Sequence, residues 1–287
     1  MRIRPILSYY GGKTDHADWI NGYLAEAASA YVEVFTGSAA VGLSRPRAKV
    51  EVFNDLDPGV ANLYRVVQSD PEELQTRLRF TLHSRREHAL CSAAERERRQ
   101  GTYPDPVEWA RQHLVLVRQS FSAGFDGSWG YTRQSRGSSF RNVADLIPPV
   151  ARRLRGAVIE NLHFRNLIEK YRGLGPDAVW YLDPPYLPQT RTGGKVYRCE
   201  MSRGEHVELL HLIKGIEGSV VLSGYPSMLY DDALDGWHRV TKDVPCFASS
   251  GTRSNRASTK PRRTEVLWVN PRAVERLAQR VPHLRAA

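Results

Sequence analysis

The chain has 287 residues, 41% of them hydrophobic and 25% charged, with a formal net charge of +10 at pH 7. That length buries a sizeable core, as one large α/β domain or a catalytic domain carrying an insertion, and no apolar run approaches the roughly 20 residues that span a bilayer. Residues 76–155 hold 15 Lys/Arg against 7 Asp/Glu, so most of the excess charge is local and its natural partner is a polyanion, with a solvated helical surface as the bland alternative.

Tyr31-Val-Glu-Val-Phe35 reads as a buried strand, and Ser38 to Leu43 as the start of a helix entered through Gly37. A second strand, Val50 to Phe53, runs into Asn54-Asp55-Leu56-Asp57. Asp57-Pro58 then forms an N-cap and first-turn pair for a helix through about Val67. From Pro71 to about Gln119 the chain reads helical and charged, interrupted near Gly101 to Pro106, and Ser122 to Gly130 breaks the periodicity. Strands resume at Ala157 to Glu160, Val179 to Leu182 and Gly218 to Leu222, with helices over 164–171 and 204–216. Two final strands, near 237–242 and Glu265 to Val269, have no clear helix between them, which suits a terminal antiparallel pair. The pattern predicts an open, mostly parallel α/β sheet interrupted by a basic helical insertion, its ligand site beyond the carboxyl ends of the strands.

The N-terminus, Met1-Arg2-Ile3-Arg4-Pro5, lacks the apolar stretch of a secretory signal, so a cytoplasmic location is expected. Three cysteines, Cys91, Cys199 and Cys246, are far apart and odd in number, which argues for reduced thiols over a disulfide framework or a Cys-rich zinc site. No metal and no membrane contact are expected, and the protein is expected to be a monomer or weak dimer.

Asp183-Pro184-Pro185-Tyr186, directly after the apolar strand 179–182, carries the most specific chemistry. Each proline fixes φ and biases the residue before it towards extended backbone, so Asp183 and Pro184 are held rigidly past the strand end. An adenine amino nitrogen is a poor nucleophile because its lone pair is delocalised into the ring. A site must accept its hydrogens and draw it towards tetrahedral geometry, which Asp183 and a main-chain carbonyl at Pro184 can do. Such a base has to leave the duplex stack first, and Tyr186 offers a face on which it stacks. The competing reading is a Pro-rich turn that closes a strand.

Phe35-Thr36-Gly37-Ser38-Ala39 joins a strand to a helix, and Gly37 permits close approach of backbone to a ligand. By itself this is a turn, but about 20 residues later Asp55 ends the next strand, where an acid holds ribose hydroxyls. The pair favours an adenosine ligand, and the absence of a full Gly-x-Gly-x-x-Gly argues against a nicotinamide cofactor. Tyr9-Tyr10-Gly11-Gly12-Lys13 taken alone is equally a flexible turn with a solvated lysine.

The ordered set Tyr10-Gly11-Gly12-Lys13, Glu33-Val34-Phe35-Thr36-Gly37-Ser38, Asn54-Asp55 and Asp183-Pro184-Pro185-Tyr186 resembles the Dam-like class of DNA N6-adenine methyltransferases, which includes many phage-borne members. Asn161 to Phe164, Ser223 to Ser227 with Leu229-Tyr230, and Thr264 to Pro271 are also similar to segments of that class, so the resemblance covers most of the chain outside parts of 70–155. It implies a Rossmann-like methyltransferase fold using S-adenosylmethionine. Tyr10, Gly12 and Lys13 would approach the donor, Phe35, Thr36, Gly37 and Ser38 would cradle it, Asp55 would bind its ribose, and His163, Phe164 and Asp183 would complete its pocket. Asp183, Pro184, Pro185 and Tyr186 would hold a flipped-out adenine of double-stranded DNA. Residues 1–67 and 156–287 would form the catalytic domain, and 68–155 the target-recognition domain. Two departures stand out: Ala39 occupies the place of a common second glycine, and His163 that of an acid before Phe164. His163 can still accept a hydrogen bond, and it can equally be an ordinary helix-start histidine.

Ser120 to Arg141 mixes aromatics with arginines, as suits a DNA-facing loop, and a packed loop core is the competing account of its aromatics. The DNA-contacting candidates are Arg118, Ser122, Trp129, Tyr131, Arg133, Arg136, Arg141 and Arg191. Gln189 to Arg203 and Gly251 to Arg263 read as mobile loops near phosphates or as merely solvated. Methylation of an RNA or cytosine amino group, and a DNA-binding protein with a vestigial donor site, are the alternative functions.

Overall fold

The computed structural model describes residues 3–7, 11–25, 29–98, 105–120, 129–130, 138–190, 198–245 and 262–280; the side chains of 138–141, 245 and 280 lie outside the description. In chain order the described elements are α1 (Ala17–Asn21), β1 (Ala30–Glu33), α2 (Ala40–Ser44), β2 (Val50–Asn54), α3 (Pro58–Ser69), α4 (Pro71–Arg79), α5 (Arg85–Arg98), α6 (Pro106–Gln119), α7 (Ser138–Leu154), β3 (Val158–Glu160), α8 (Phe164–Tyr171), β4 (Val179–Leu182), α9 (Arg203–Lys214), β5 (Ser219–Gly224), α10 (Met228–Ala233), β6 (His238–Pro245), β7 (Arg262–Val269) and α11 (Pro271–Arg280).

The strands form one seven-stranded sheet in the order β3-β2-β1-β4-β5-β7-β6. The first five are parallel, and β7 runs antiparallel to both β5 and β6, so the terminal pair read from the sequence is present but slots β7 inside β6. Successive strand residues point to opposite faces, and both faces are covered. Tyr31, Phe53, Tyr181 and Val221 enter one core with α1, α3, α6, α7 and α11, whereas Val32, Trp180, Val220 and Trp268 enter the other with α8, α9 and α10. Near-continuous apolar runs therefore form these strands. This is the Rossmann-like, mostly parallel α/β architecture expected from the sequence.

Caps explain the helix starts that the sequence reveals. Asp57 accepts a hydrogen bond from Gly59 N (2.8 Å) and precedes Pro58 at the first helical position, and Asp105 does the same for α6. Helices α1, α7, α10 and α11 were not anticipated; of these α7 contains Pro148 and Pro149. Val143, Ile147, Val150 and Leu154, at helical spacing, are fully buried against the same core as the sheet. Arg153 grips Glu51 of β2 through two contacts of 2.6 and 2.8 Å, so tertiary packing sustains a helix that its prolines disfavour. Helices α4 to α7 thus share one core with α3 and one sheet face. Among the described residues no helix is long and apolar enough to cross a membrane.

The chain leaves β1 towards β2 on one side, while β4 flanks β1 on the other. The loops after β1 and β4 diverge at this reversal of strand order, which opens a crevice where open α/β sheets bind ligands.

Candidate active site

A cleft of about 870 Å³, including its open mouth, lies over this reversal point. Gly12, Lys13, Phe35, Thr36, Gly37, Ser38, Asp55, His163, Phe164, Asp183 and Pro185, all proposed from the sequence, line it together. Tyr10 lies outside the described residues.

The loop after β1 is built from backbone and one acid. Gly37 has φ 45°, a left-handed conformation that glycine adopts freely, and its N–H donates to Asp55 Oδ2 at 2.8 Å. Asp55 Oδ1 accepts from Asp57 N at 2.9 Å, and Tyr64 OH donates to Gly37 O at 3.0 Å. Burial, with Asp57 beside it, pushes the Asp55 carboxyl up to about 7. Asp55 is therefore first a clamp on the glycine turn, and each of its oxygens keeps a second acceptor position. Ala39 adopts φ 56°, so the loop makes without glycine the left-handed residue that a second glycine would supply.

Asn54 acts as a staple among three strand ends. Its amide donates to Val34 O (2.8 Å) and Leu162 O (3.0 Å), and its Oδ1 accepts from Leu162 N (2.8 Å). Glu33 forms part of the floor: its Oε2 accepts from Tyr31 OH (2.9 Å) and Gly42 N (3.1 Å), and burial pushes its carboxyl up to about 8. A Cβ on Gly42 would stand 2.4 Å from that oxygen, so the close approach of α2 to β1 depends on this glycine.

His163 is the N-cap of α8. Its Nδ1 faces Arg165 N at 3.4 Å, its Nε2 faces Glu205 Oε1 at 3.4 Å, and its ring lies 4.3 Å from that of Phe164. The helix-start role is thus real, and a carboxylate from α9 stands beside it in the cleft wall. Cys199, Glu200, Met201 and Glu205 also line the cleft. The sequence reads 189–203 as a loop near phosphates or merely solvated, although Ser202-x-x-Glu205 spells a capping box, which the structure contains, and marks where this wall enters α9. Burial raises the Cys199 thiol to about 11, so it packs as neutral wall.

Beyond β4, Asp183 is held by Lys13, whose Nζ lies 3.0 Å from Oδ2 and 4.7 Å from the centre of the Tyr186 ring. Oδ1 of Asp183 is buried and has no hydrogen-bond partner among the described residues. Burial raises the Asp183 carboxyl, Lys13 pulls it back down, and Glu265 pushes it up. Pro184 and Tyr186 are buried; Tyr186 OH donates to Glu265 Oε2 at 2.8 Å, and its ring meets Tyr225 edge-on at 4.5 Å. The arrangement presents a fixed carboxylate with an open acceptor beside a clamped aromatic ring. No role for Glu265 is legible before folding, because a glutamate within an apolar strand shows its partner only once the chain is folded.

Of the DNA-contact candidates, Arg118 is half-buried and donates to Ile6 O at 2.6 and 3.1 Å and to Pro5 O at 3.3 Å, so its guanidinium fastens the N-terminal segment to α6. Trp129 lies against His83 and under Arg85, with ring and cation separations of 5.8 and 5.1 Å. Ser122, Tyr131, Arg133, Arg136 and Arg191, and the side chain of Arg141, lie outside the described residues. Among the described residues no cluster of three or more His, Cys, Asp or Glu side chains is arranged to hold a metal.

Comparison with known proteins gives a family match over residues 9–243, to the D12 class N6 adenine-specific DNA methyltransferase family. No curated protein matches the sequence significantly. Among solved structures, an rRNA methyltransferase, aviRa from Streptomyces viridochromogenes, aligns over 96% of this chain and 92% of its own, at 14% identity and a TM-score of 0.38. At that distance the likeness says nothing about substrate.

Proposed function

Because this chain belongs to the D12 class of N6 adenine-specific DNA methyltransferases, we propose that it uses S-adenosylmethionine to methylate the amino group of an adenine flipped out of double-stranded DNA, with Asp183 as the group that receives that amino group. The observation that carries this reading is the buried Oδ1 of Asp183, without a hydrogen-bond partner among the described residues, at the edge of the cleft that Phe35, Asp55 and Phe164 line. A buried acceptor without a donor costs about 1–3 kcal/mol, and an incoming N–H relieves that cost.

The cleft suits the donor. Phe35 and Phe164, with ring centres 6.1 Å apart, offer aromatic wall, the Gly37 turn permits close backbone approach, and Asp55 retains acceptor positions for ribose hydroxyls. When bound, the donor supplies an electrophilic methyl group. The chain's own residues do the remainder. Asp183 accepts one amino hydrogen, and the carbonyl of Pro184, in a proline pair of fixed φ, is the candidate for the second. Tyr186, buried with Lys13 over one face of its ring, is the candidate stacking surface, and the Lys13 cation favours the carboxylate form of Asp183 against the burial that disfavours it. Once the nitrogen carries a methyl group it is acidic, and Asp183 is the nearest acceptor for its proton. Alignment of nucleophile and donor supplies much of the rate.

The insertion over 68–155, with its excess of arginine, is proposed as the DNA-facing part, and phosphate neutralisation would make its affinity fall with salt. The test is incubation with unmethylated genomic DNA and methyl-labelled S-adenosylmethionine, followed by nucleoside analysis. Label in N6-methyladenine is expected. Label only in cytosine or RNA would overturn the substrate, and donor binding without any transfer would favour a vestigial donor site.

A further inference from the structure

Glu265 belongs to β7, the strand inserted antiparallel between β5 and β6, and reaches the site from a different part of the chain than the Asp183–Tyr186 loop. It is 8% exposed, and its Oε2 accepts the Tyr186 hydroxyl at 2.8 Å. On β6 its register partner is Lys242, whose ammonium lies 5.4 Å from the centre of the Trp19 ring. Tyr186 is fixed on three sides: its hydroxyl by Glu265, its ring by the Tyr225 edge at 4.5 Å, and one face by Lys13 at 4.7 Å. Tyr225 is itself held, since Arg263 donates to its hydroxyl at 3.1 Å. Both Arg263 and Glu265 come from β7, so one strand anchors both aromatic rings.

We propose that Glu265 is a positioning residue for methyl transfer, fixing the Tyr186 ring through its hydroxyl so that the stacked base meets Asp183 in a single orientation. This rests on the base-binding role proposed above. A tyrosine ring turns about two side-chain bonds, and a hydrogen bond from a phenol to a buried carboxylate removes that freedom at its far end. Reaction rates respond steeply to such placement, since a misplacement of about 1 Å costs on the order of 100-fold.

The experiment compares wild type with Glu265→Ala, Glu265→Gln, Tyr186→Phe and the paired variants in single-turnover methylation at saturating DNA and donor, with donor and DNA dissociation constants measured alongside. Glu265→Ala should slow transfer by about tenfold or more while both dissociation constants stay within about twofold, because phosphate contacts dominate DNA affinity and Glu265 does not line the donor cleft. Glu265→Gln, which still offers an oxygen to the phenol, should recover most of the rate. Tyr186→Phe should lose at least as much as Glu265→Ala, since its hydroxyl also acts on Asp183, and the double variant no more than Tyr186→Phe. Losses that multiply, a Glutamine variant as slow as the Alanine one, or a full rate in Glu265→Ala would overturn the proposal. Should Glu265→Ala fail to fold, the cycle built from Glu265→Gln and Tyr186→Phe decides the same point. A wild-type protein that methylates another acceptor refutes the adenine reading separately, and the variants are then compared on that acceptor.

Discussion

Lys13 Nζ lies 3.0 Å from Asp183 Oδ2 while it also sits over the Tyr186 ring, so one cation touches both groups proposed to hold the target base. Lys13 lowers the Asp183 carboxyl against the upward push of burial. Ionised, Asp183 offers both oxygens as acceptors and can take up a proton, whereas protonation turns one of them into a donor. Lys13→Met removes the cation and lets the pKa climb, so the acid limb of the pH profile of kcat/KM should move to higher pH. An unmoved limb would mean that Lys13 does not set the charge state of Asp183.

Asp183→Ala should reduce methyl transfer by roughly 100-fold or more and leave donor and DNA binding largely intact, since phosphate contacts provide most DNA affinity. Activity within about tenfold of wild type would refute the assignment.

Glu33 and Asp55 make stability depend on pH in one direction. Their carboxyls are raised by burial to about 8 and about 7 from ordinary values of 4.5 and 3.8. Between those limits the folded protein retains protons that the unfolded chain has released, so stability is greatest below the ordinary values and falls as pH rises through the raised ones. Glu33→Gln keeps an acceptor for Tyr31 and Gly42 without the titration. Its melting temperature should fall less steeply than wild type between about pH 4.5 and pH 8, and parallel curves would show that Glu33 is not the titrating group.

Ala39→Gly tests the departure in the glycine turn. Relief of a left-handed alanine gains about 1–2 kcal/mol, against about 0.8 for one buried methyl and about 0.5–1 for added freedom of the unfolded chain. The terms nearly cancel, so the denaturant midpoint should shift by less than about 1 kcal/mol at constant slope. A loss of more than about 2 kcal/mol would mean that the Ala39 methyl is essential packing.

Arg118→Ala should act on stability and leave target preference unchanged, because its guanidinium holds carbonyls of Pro5 and Ile6. Arg133, Arg136 and Arg141, replaced singly, should divide into variants that relax the preferred sequence and variants that weaken all sequences alike. A changed target sequence in Arg118→Ala would contradict the structural role.

The legible parts of this protein are those whose information is local. Asp57-Pro58 announces a helix start, an apolar run announces a buried strand, and Asp183-Pro184-Pro185-Tyr186 stiffens its own backbone. Helix α7 was not legible, since Pro148 and Pro149 read as breakers and only burial of Val143, Ile147, Val150 and Leu154 overrides them. The anchoring of Arg118 was not legible for a related reason, since its carbonyl partners lie more than 110 positions away in the chain.

The sequence by itself determined the mostly parallel sheet and the loops after β1, β2 and β4, because apolar runs and backbone stiffness act over a few neighbours, while the family resemblance supplied cleft residues such as Gly12, Lys13, His163 and Phe164. Only the tertiary structure decided that Asp55 clamps a glycine turn, that Lys13 holds Asp183, that 199–205 closes the cleft wall, and that Glu265 anchors Tyr186. Those contacts join segments distant in the chain, and their energy depends on burial and distance, which exist only once the sheet has brought the segments together.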